Sequence, residues 1–243
     1  IKKGYINALA ITASAYSSSR SVTFFEGAES LASWDRVRRT GKPLKLGVEH
    51  LMASSAVPFV FPPVMIGGEY FGDGAMRHRT PLSSAIRLGA DRMLVIGVRD
   101  ELLDSEPDAA TPADSPSLGH LAGYILDTLF MDGLSTDLEQ LNQINRMLDC
   151  LDQDSHSPEV QFRPLSTLVV LPKKDLREVA ARHVQELPKG LRLLLQGLGA
   201  AKKSDMRLVS YLLFESGFTR ELISMGYHDA IEMEQDLRAF LFD

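Results

Sequence analysis

Cysteine is almost absent from this sequence, since Cys150 is the only one among 243 residues. An internal disulfide is therefore excluded, and no further cysteines or histidines lie close to Cys150 in the way that a zinc site requires. We predict a reducing compartment, no metal site and no cofactor.

Long apolar runs are also missing. No stretch reaches the ~18 to 20 continuous apolar residues that cross a bilayer. Lys2 and Lys3 are not followed by the apolar core of a signal peptide. We therefore expect a cytoplasmic or peripheral membrane protein.

Basic residues are fewer than acidic ones: 26 Lys and Arg against 32 Asp and Glu give a net charge of −6. Nucleic acid binding depends on clustered positive charge, so we predict no nucleic acid partner, although Arg36, Arg38 and Arg39 form a local basic patch. Because 44% of the residues are hydrophobic, the chain has enough apolar material for one large core.

An initiating methionine is not present at the start of the sequence. The chain instead enters almost at once into the apolar, strand-like run Ile6-Asn7-Ala8-Leu9-Ala10-Ile11-Thr12. This pattern predicts that the beginning of a longer protein precedes it.

The first 99 residues alternate strand and helix patterns. Residues 6–13 and 21–25 favour a strand hairpin, and the spacing of Leu31, Trp34 and Val37 favours a helix over 29–39. Residues 48–56 predict a helix rich in small residues, which Pro58 ends.

A second group of patterns follows that helix. Gly67-Gly68 predicts a tight hairpin between residues 64–66 and 69–71. Thr80 and Pro81 predict the N-cap and first turn of a helix that ends at Gly89, and residues 92–98 predict a fully buried strand. Strands and helices in this order indicate an α/β fold with a mixed sheet covered by helices.

The rest of the sequence divides in two. Residues 100–118 are acidic and rich in Pro, Ser, Asp and Ala, which favours a flexible surface loop. Residues 121–130 and 134–148 predict helices, 166–171 a strand, and 174–242 consecutive helices. We therefore predict a first region over 1–99, the loop over 100–118, and a mostly helical region over 119–243 that completes or flanks the first.

Gly72-Asp73-Gly74-Ala75 directly follows the second strand of the Gly-Gly hairpin. Glycines beside a carboxylate let backbone and substrate approach closely, while the strand end holds the carboxylate in place. Spacing alone leaves another interpretation open, in which Asp73 simply caps a backbone amide in a turn.

The surrounding sequence resembles the patatin-like phospholipase family of bacterial type in order, spacing and residue type. The resemblance is strongest over residues 6–98, and Gly226-Tyr227-His228-Asp229-Ala230 adds weaker support. The matching motifs are Ala53-Ser54-Ser55-Ala56-Val57-Pro58-Phe59-Val60-Phe61-Pro62-Pro63-Val64, Gly72-Asp73-Gly74-Ala75, Pro81-Leu82 and Gly89-Ala90-Asp91.

The resemblance implies a three-layer α/β/α fold and a serine–aspartate catalytic dyad in which Asp73 is the aspartate. It also implies a glycine-rich oxyanion loop and a Gly-x-Ser-x-Gly elbow upstream, and neither motif occurs in this sequence. We expect the full-length protein to be a serine lipid acyl hydrolase that acts on phospholipid or lysophospholipid esters without a metal. The 243 residues alone are expected to be inactive.

Other residues near the motif have less specific signals. Met76, Arg77 and Arg79 are candidate substrate contacts, and the alternatives are core filling for the methionine and a solvated loop for the arginines. Either His78 or His50 is a candidate for the histidine of a Ser-His-Asp triad; the alternatives are a polar loop position for His78 and a partly buried helix position for His50, and the resemblance implies a dyad without histidine. Helix packing explains Ser54 and Ser55 better than a nucleophilic role does.

Two further hypotheses stay open. The chain could be a truncated or degenerate module that binds lipid or a protein partner without turnover, or its missing half could be a separate cleaved chain or a disordered segment. Apolar stripes in the later helices are typical of internal packing, and peripheral contact with a bilayer is the alternative.

Overall fold

A computed structural model describes residues 5–78, 80–98, 115, 117–130, 133–150, 163–200 and 206–242. The chain divides into two compact units. The first comprises Ile1–Met93 and Leu129–Ser166, and the second comprises Leu94–Thr128 and Thr167–Asp243. The described residues combine a mixed β-sheet with many helices, so the predicted α/β class is confirmed.

A six-stranded sheet forms the centre of the first unit, with the strand order β3-β4-β2-β1-β6-β5. β1 and β2 form the predicted antiparallel hairpin, whereas β2 and β4 are parallel, which makes the sheet mixed. The strands are β1 (Ala8–Ala15), β2 (Ser21–Gly27), β3 (Trp34–Arg36), β4 (Arg39–Pro43), β5 (Val64–Ile66) and β6 (Glu69–Gly72).

The helix predicted over residues 29–39 is wrong, because residues 29–33 have no regular structure and β3, a two-residue turn and the start of β4 occupy residues 34–39. The Trp34 ring stacks on Phe25 of β2 with a centroid distance of 5.3 Å. Pairing with β2 and aromatic packing thus outweigh a helical period that spans only a few turns.

The core of the first unit lies between one face of the sheet and α1 (Val48–Ser54). Side chains alternate between the faces of a strand, so every second residue of β1 and β2 points toward this helix. Phe24 is 2% exposed and meets the rings of His50 and Phe71 edge to face. The buried members of the cluster are Ala13, Ala15, Val22, Phe24, Ala53 and Phe71.

The β5–β6 hairpin matches the sequence prediction. Gly67 and Gly68 have φ angles of 58° and 86°, which are the positive values that a tight turn of this kind requires. The turn fixes the register of β6, and β6 in turn fixes the position of the residue that follows Gly72.

The helix predicted after Thr80 is present as α2 (Leu82–Arg87), but Thr80 does not cap it with its side chain. The cap comes instead from α4 (Leu134–Asp149), where the carboxylate of Asp137 accepts the N–H of Leu82 at 2.9 Å. A carboxylate at this end also suits the helix dipole. Gly89 follows the helix with a φ of 96°, as predicted for a C-terminal cap.

The strand predicted over residues 92–98 is present as β7 (Arg92–Ile96), but it is not fully buried. Ile96 is 74% exposed, and Met93 is the buried residue of this strand. β7 pairs with β8 (Ser166–Val170) in a separate two-stranded sheet, so it lacks the neighbours that bury a central strand.

The second unit is mostly helical, as predicted for the C-terminal region. Its core includes the buried residues Val179, Leu195, Val209 and Phe218. None of the helices in the described part of the chain is long and apolar enough to cross a membrane. The helices are α3 (Leu118–Phe130), α5 (Leu176–His183), α6 (Lys189–Gly197), α7 (Arg207–Leu212), α8 (Ser216–Glu232) and α9 (Glu234–Phe242).

Most of the acidic loop predicted over 100–118 lies outside the described residues, which include only 115, 117 and 118 of that range. The three-region division at 99 and 118 stays a prediction.

Phe24→Ala tests the core of the first unit. Removing this ring leaves a cavity against His50 and Phe71, so the free energy of unfolding should fall by about 3 to 5 kcal/mol. Urea denaturation measures the change. Val37→Ala, at a site that is 90% exposed, is the control and should change stability by less than about 0.5 kcal/mol. Equal effects of the two substitutions would contradict the assigned core.

Candidate active site

Asp73 follows the last residue of β6 and begins a short 3-10 turn over Gly74–Met76. Its N–H donates to the carbonyl oxygen of Ala56 at 3.0 Å, just beyond the end of α1. Its carboxylate accepts the N–H of Ala75 at 2.9 Å through Oδ1. The strand, the helix end and the turn together fix the position of this side chain.

Gly74 lies in close contact with β1. A Cβ placed on Gly74 would lie 2.3 Å from the carbonyl oxygen of Thr12, well inside van der Waals contact. The buried hydroxyl of Ser14, on the same strand, donates to the carbonyl oxygen of Gly74 at 3.2 Å. Only glycine fits here, so close packing against β1 explains why a glycine follows Asp73.

The Asp73 carboxylate is half-buried, and this burial raises its pKa above the ordinary value. The hydrogen bond from Ala75 acts in the opposite direction and only partly offsets the effect. No described residue donates a hydrogen bond to Oδ2. The structure therefore combines an anchored carboxylate with one unoccupied acceptor and increased basicity.

Asp73 does cap a backbone amide, as the turn interpretation of the sequence predicted. One carboxylate oxygen is sufficient for that cap. A second role for the other oxygen stays compatible with the geometry.

The neighbours of Asp73 have different environments. Gly72 is buried, and a Cβ placed there would lie 2.5 Å from the Tyr16 hydroxyl and 2.9 Å from Cε of Met76. Met76 is half-buried against these residues, which fits its core-filling alternative. Ala75 and Arg77 are exposed, and Arg79 lies outside the described residues.

His50 does not reach Asp73. It is 3% exposed inside the core, where Nδ1 accepts the N–H of Gly47 at 3.0 Å and Nε2 has no hydrogen-bond partner among the described residues. The ring packs against Phe24 at 4.9 Å between centroids. These contacts confirm a structural role for this histidine.

His78 is half-buried, and its pKa is lowered first by burial and then by the positive charge of Arg39. No hydrogen bond joins its ring to Asp73 within the described part of the chain. The structure thus does not assemble an Asp-His pair here.

The candidate serines also make contacts of a structural kind. Ser55 Oγ donates back to the carbonyl oxygen of Leu51 at 3.0 Å within α1. Ser54 Oγ lies 3.5 Å from the position of a Cβ on Gly74. No serine hydroxyl in the described chain hydrogen-bonds the Asp73 carboxylate, so the second half of a dyad is not found among these residues.

A pocket of about 520 Å³ lies beside the motif, between β1 and α2. Thr12 belongs to both, because it lines the pocket while its carbonyl oxygen contacts Gly74. The hydroxyl of Thr23 lies 3.0 Å from those of Thr12 and Ser84, which both line the pocket. The lining residues are Asn7, Ala8, Ala10, Thr12, His78, Pro81, Ser84, Ala85, Leu88, Gly89 and Ala90.

Sequence reasoning missed Thr12, Ser14 and Ala56 as the groups that position Asp73. They lie 17 to 61 residues before Asp73 in the chain and act through backbone atoms or one buried hydroxyl. No local motif marks such contacts. Within the described ranges, no three His, Cys, Asp or Glu side chains are placed to hold a metal ion.

Gly74→Ala tests the close approach to β1. The new methyl group would collide with the Thr12 carbonyl, so the free energy of unfolding should fall by about 1 to 3 kcal/mol. Gly190→Ala is the matched control, since nothing lies within 4 Å of a Cβ there, and its stability should stay equal or rise slightly. Thermal unfolding of both variants measures the difference, and a neutral Gly74→Ala would refute the contact.

Comparison with known protein families gives one match. Residues 7–86 match the family model described as patatin-like phospholipase. No curated protein and no solved structure was found to match the chain. The matched segment contains β1, α1, β6 and the whole Gly72-Asp73-Gly74-Ala75 motif, and at the level of the family it supports a lipid acyl hydrolase function. The family resemblance predicted from the motifs is therefore confirmed over residues 7–86, which are less than half of the chain.

Proposed function

We propose that this chain supplies the catalytic aspartate of a serine lipid acyl hydrolase, with Asp73 as the general base. The observation that supports this most directly is the carboxylate itself: it is anchored by Oδ1, has no described partner at Oδ2, and has a pKa raised by burial. Groups with these properties concentrate at catalytic sites.

The proposed reaction begins when Asp73 accepts the proton of a serine hydroxyl while the serine oxygen attacks an ester carbonyl carbon. The C–O bond to the alcohol then breaks, and the proton passes from Asp73 to the departing alkoxide. Water attacks the resulting acyl-serine in the same way, with Asp73 again accepting and returning the proton. The products are a free fatty acid and an alcohol.

The motifs that would carry the serine and the oxyanion donors do not occur in these 243 residues, so the proposal assigns both groups to other sequence. An aspartate is a weak base toward a hydroxyl even when its pKa is raised. Oxyanion stabilisation therefore has to supply much of the rate. For this reason the 243 residues alone are expected to show no ester hydrolysis.

Phospholipid or lysophospholipid esters are the proposed substrates. The pocket beside Thr12 supports a substrate with an apolar portion, since most of its wall is built from alanine, proline and leucine side chains. Such substrates reside in or near bilayers, so transient contact with a membrane surface is part of the proposal.

A second candidate function is a module that binds lipid or a protein partner without turnover. It is favoured by one specific observation, namely that no described serine reaches Asp73 while Oδ1 already caps a turn. In this case the carboxylate would have a structural role alone.

Asp73→Asn in the complete protein separates these functions. The amide oxygen can still accept the N–H of Ala75, but it cannot take a proton from serine, so kcat/KM on a phospholipid should fall by about 10²- to 10⁴-fold. Steady-state hydrolysis measures this loss. Asp236→Asn, at an exposed site on α9, is the control and should keep full activity.

Stability provides the complementary readout. Because burial raises the folded-state pKa of Asp73 above its unfolded value, ionising this carboxylate costs folding free energy as the pH rises through the folded pKa. The asparagine variant should therefore be as stable as the original protein at neutral pH, or more stable. Undiminished hydrolysis in a folded Asp73→Asn variant would exclude Asp73 as the base.

A further inference from the structure

Two arginines face each other at the end of the β3–β4 hairpin. Arg36 and Arg39 are directly paired in the register and flank a turn of two residues, Val37 and Arg38. Residues that are paired across antiparallel strands point to the same face, and like charges in this position repel. The hairpin would gain stability if an anion lay between them.

A third arginine comes from α2. The guanidinium carbon of Arg87 lies 5.8 Å from the centroid of the Trp34 ring, and Trp34 points to the same face of β3 as Arg36. Burial is the largest effect that lowers the pKa of Arg87, and the charges of Arg36 and Arg39 lower it further. The three guanidinium groups are therefore close enough to repel one another.

Neighbouring carboxylates do not neutralise this cluster. Asp35 lies between Trp34 and Arg36 in sequence, so it points to the opposite face, where it pairs with Arg20 at 2.7 Å. Among the described residues, no ion pair within 4.0 Å involves Arg36, Arg39 or Arg87.

Asp137 is an acidic residue that interacts electrostatically with Arg39. Its Oδ2 accepts the N–H of Leu82 as the cap of α2, and burial raises its pKa. One capping carboxylate against three arginines leaves an excess of positive charge. The hydroxyl of Thr80, which accepts a hydrogen bond from Arg39, adds a polar group beside it.

We propose that Arg36, Arg39 and Arg87 form a binding site for a phosphate group. Guanidinium groups donate paired N–H bonds in the spacing that phosphate oxygens accept. The positive charge of the three arginines exceeds the one negative charge of Asp137, and the excess attracts a phosphate monoester, which carries about −1.5 to −2 at pH 7. The site uses none of the atoms assigned to ester hydrolysis. It therefore goes beyond the proposed function and is tested independently of it.

The phosphate can come from a phospholipid headgroup or from free phosphate. The hairpin tip carries Arg38 and the 90% exposed Val37, an apolar side chain next to cations. Such a tip suits a lipid surface. The chemistry of the site is the same for both sources, and the experiment below distinguishes them.

The first arm measures thermal unfolding of the 243-residue chain with inorganic phosphate against sodium chloride of equal ionic strength. A ligand that binds the folded state raises the unfolding temperature, so phosphate should raise it and chloride should not. The double variant Arg36→Gln/Arg87→Gln should bind phosphate at least ~10-fold more weakly by calorimetry. Arg220→Gln, an exposed position on α8, should bind phosphate like the original chain.

The second arm measures co-sedimentation with phosphatidylcholine vesicles that contain either phosphatidic acid or oleate at matched negative charge. Stronger binding to phosphatidic acid, lost in the double variant, identifies a lipid headgroup as the source. A response to inorganic phosphate alone identifies free phosphate. Both results support the site.

Several results would overturn the proposal. Equal unfolding temperatures in phosphate and chloride, together with equal binding to the two vesicle types, would mean that no phosphate site exists. Unchanged phosphate binding in the double variant would mean that other residues form it. Folding of the double variant is checked without phosphate, where removing two of the three mutually repelling charges should leave the unfolding temperature equal or higher.

Discussion

The hydrogen bond from the Asp73 N–H to the Ala56 carbonyl oxygen joins the end of α1 to the end of β6. α1 itself is held against the sheet by Ala53 and by the ring contacts of His50 with Phe24. The core of the first unit therefore sets the position of the carboxylate. A helix end and a strand end position a side chain more precisely than a free loop does.

Two charged features of the first unit are only partly compensated by the residues that the structure describes. Asp73 is half-buried and receives one amide hydrogen bond, while the arginines of the β3–β4 hairpin and α2 face one another. Both arrangements cost free energy in the folded chain. A reacting hydroxyl would use the first, and a phosphate group would relieve the second.

Sequence patterns predicted much of this fold because the signals were local. Gly67-Gly68 marked its turn, and the apolar period of the later segments marked their helices. The helix predicted over 48–56 is present as α1, although it ends at Ser54, before the residues next to Pro58. The motif order around Asp73 located the candidate base. These features depend on residues within a few positions of one another, so a single sequence contains them.

The wrong or missing sequence predictions concern residues whose structure depends on distant parts of the chain. Trp34 followed a helical spacing, yet its ring packs on Phe25 and places the segment in the sheet. β7 looked like a central strand but pairs only with β8 among the described strands, so Ile96 is exposed. The contacts of Thr12 and Ser14 with Gly74 join residues about 60 positions apart. Tertiary pairing decides all of these, and no local pattern reports it.

The central claim is that the fold holds Asp73 as a carboxylate of increased basicity. A carbon-13 NMR titration of its side-chain carboxyl, assigned from the spectrum of Asp73→Asn, tests this directly. We expect a pKa above the ~3.9 of an unperturbed aspartate, because burial outweighs the single hydrogen bond from Ala75. A pKa at or below that value would contradict it, since the carboxylate would then be an ordinary turn cap.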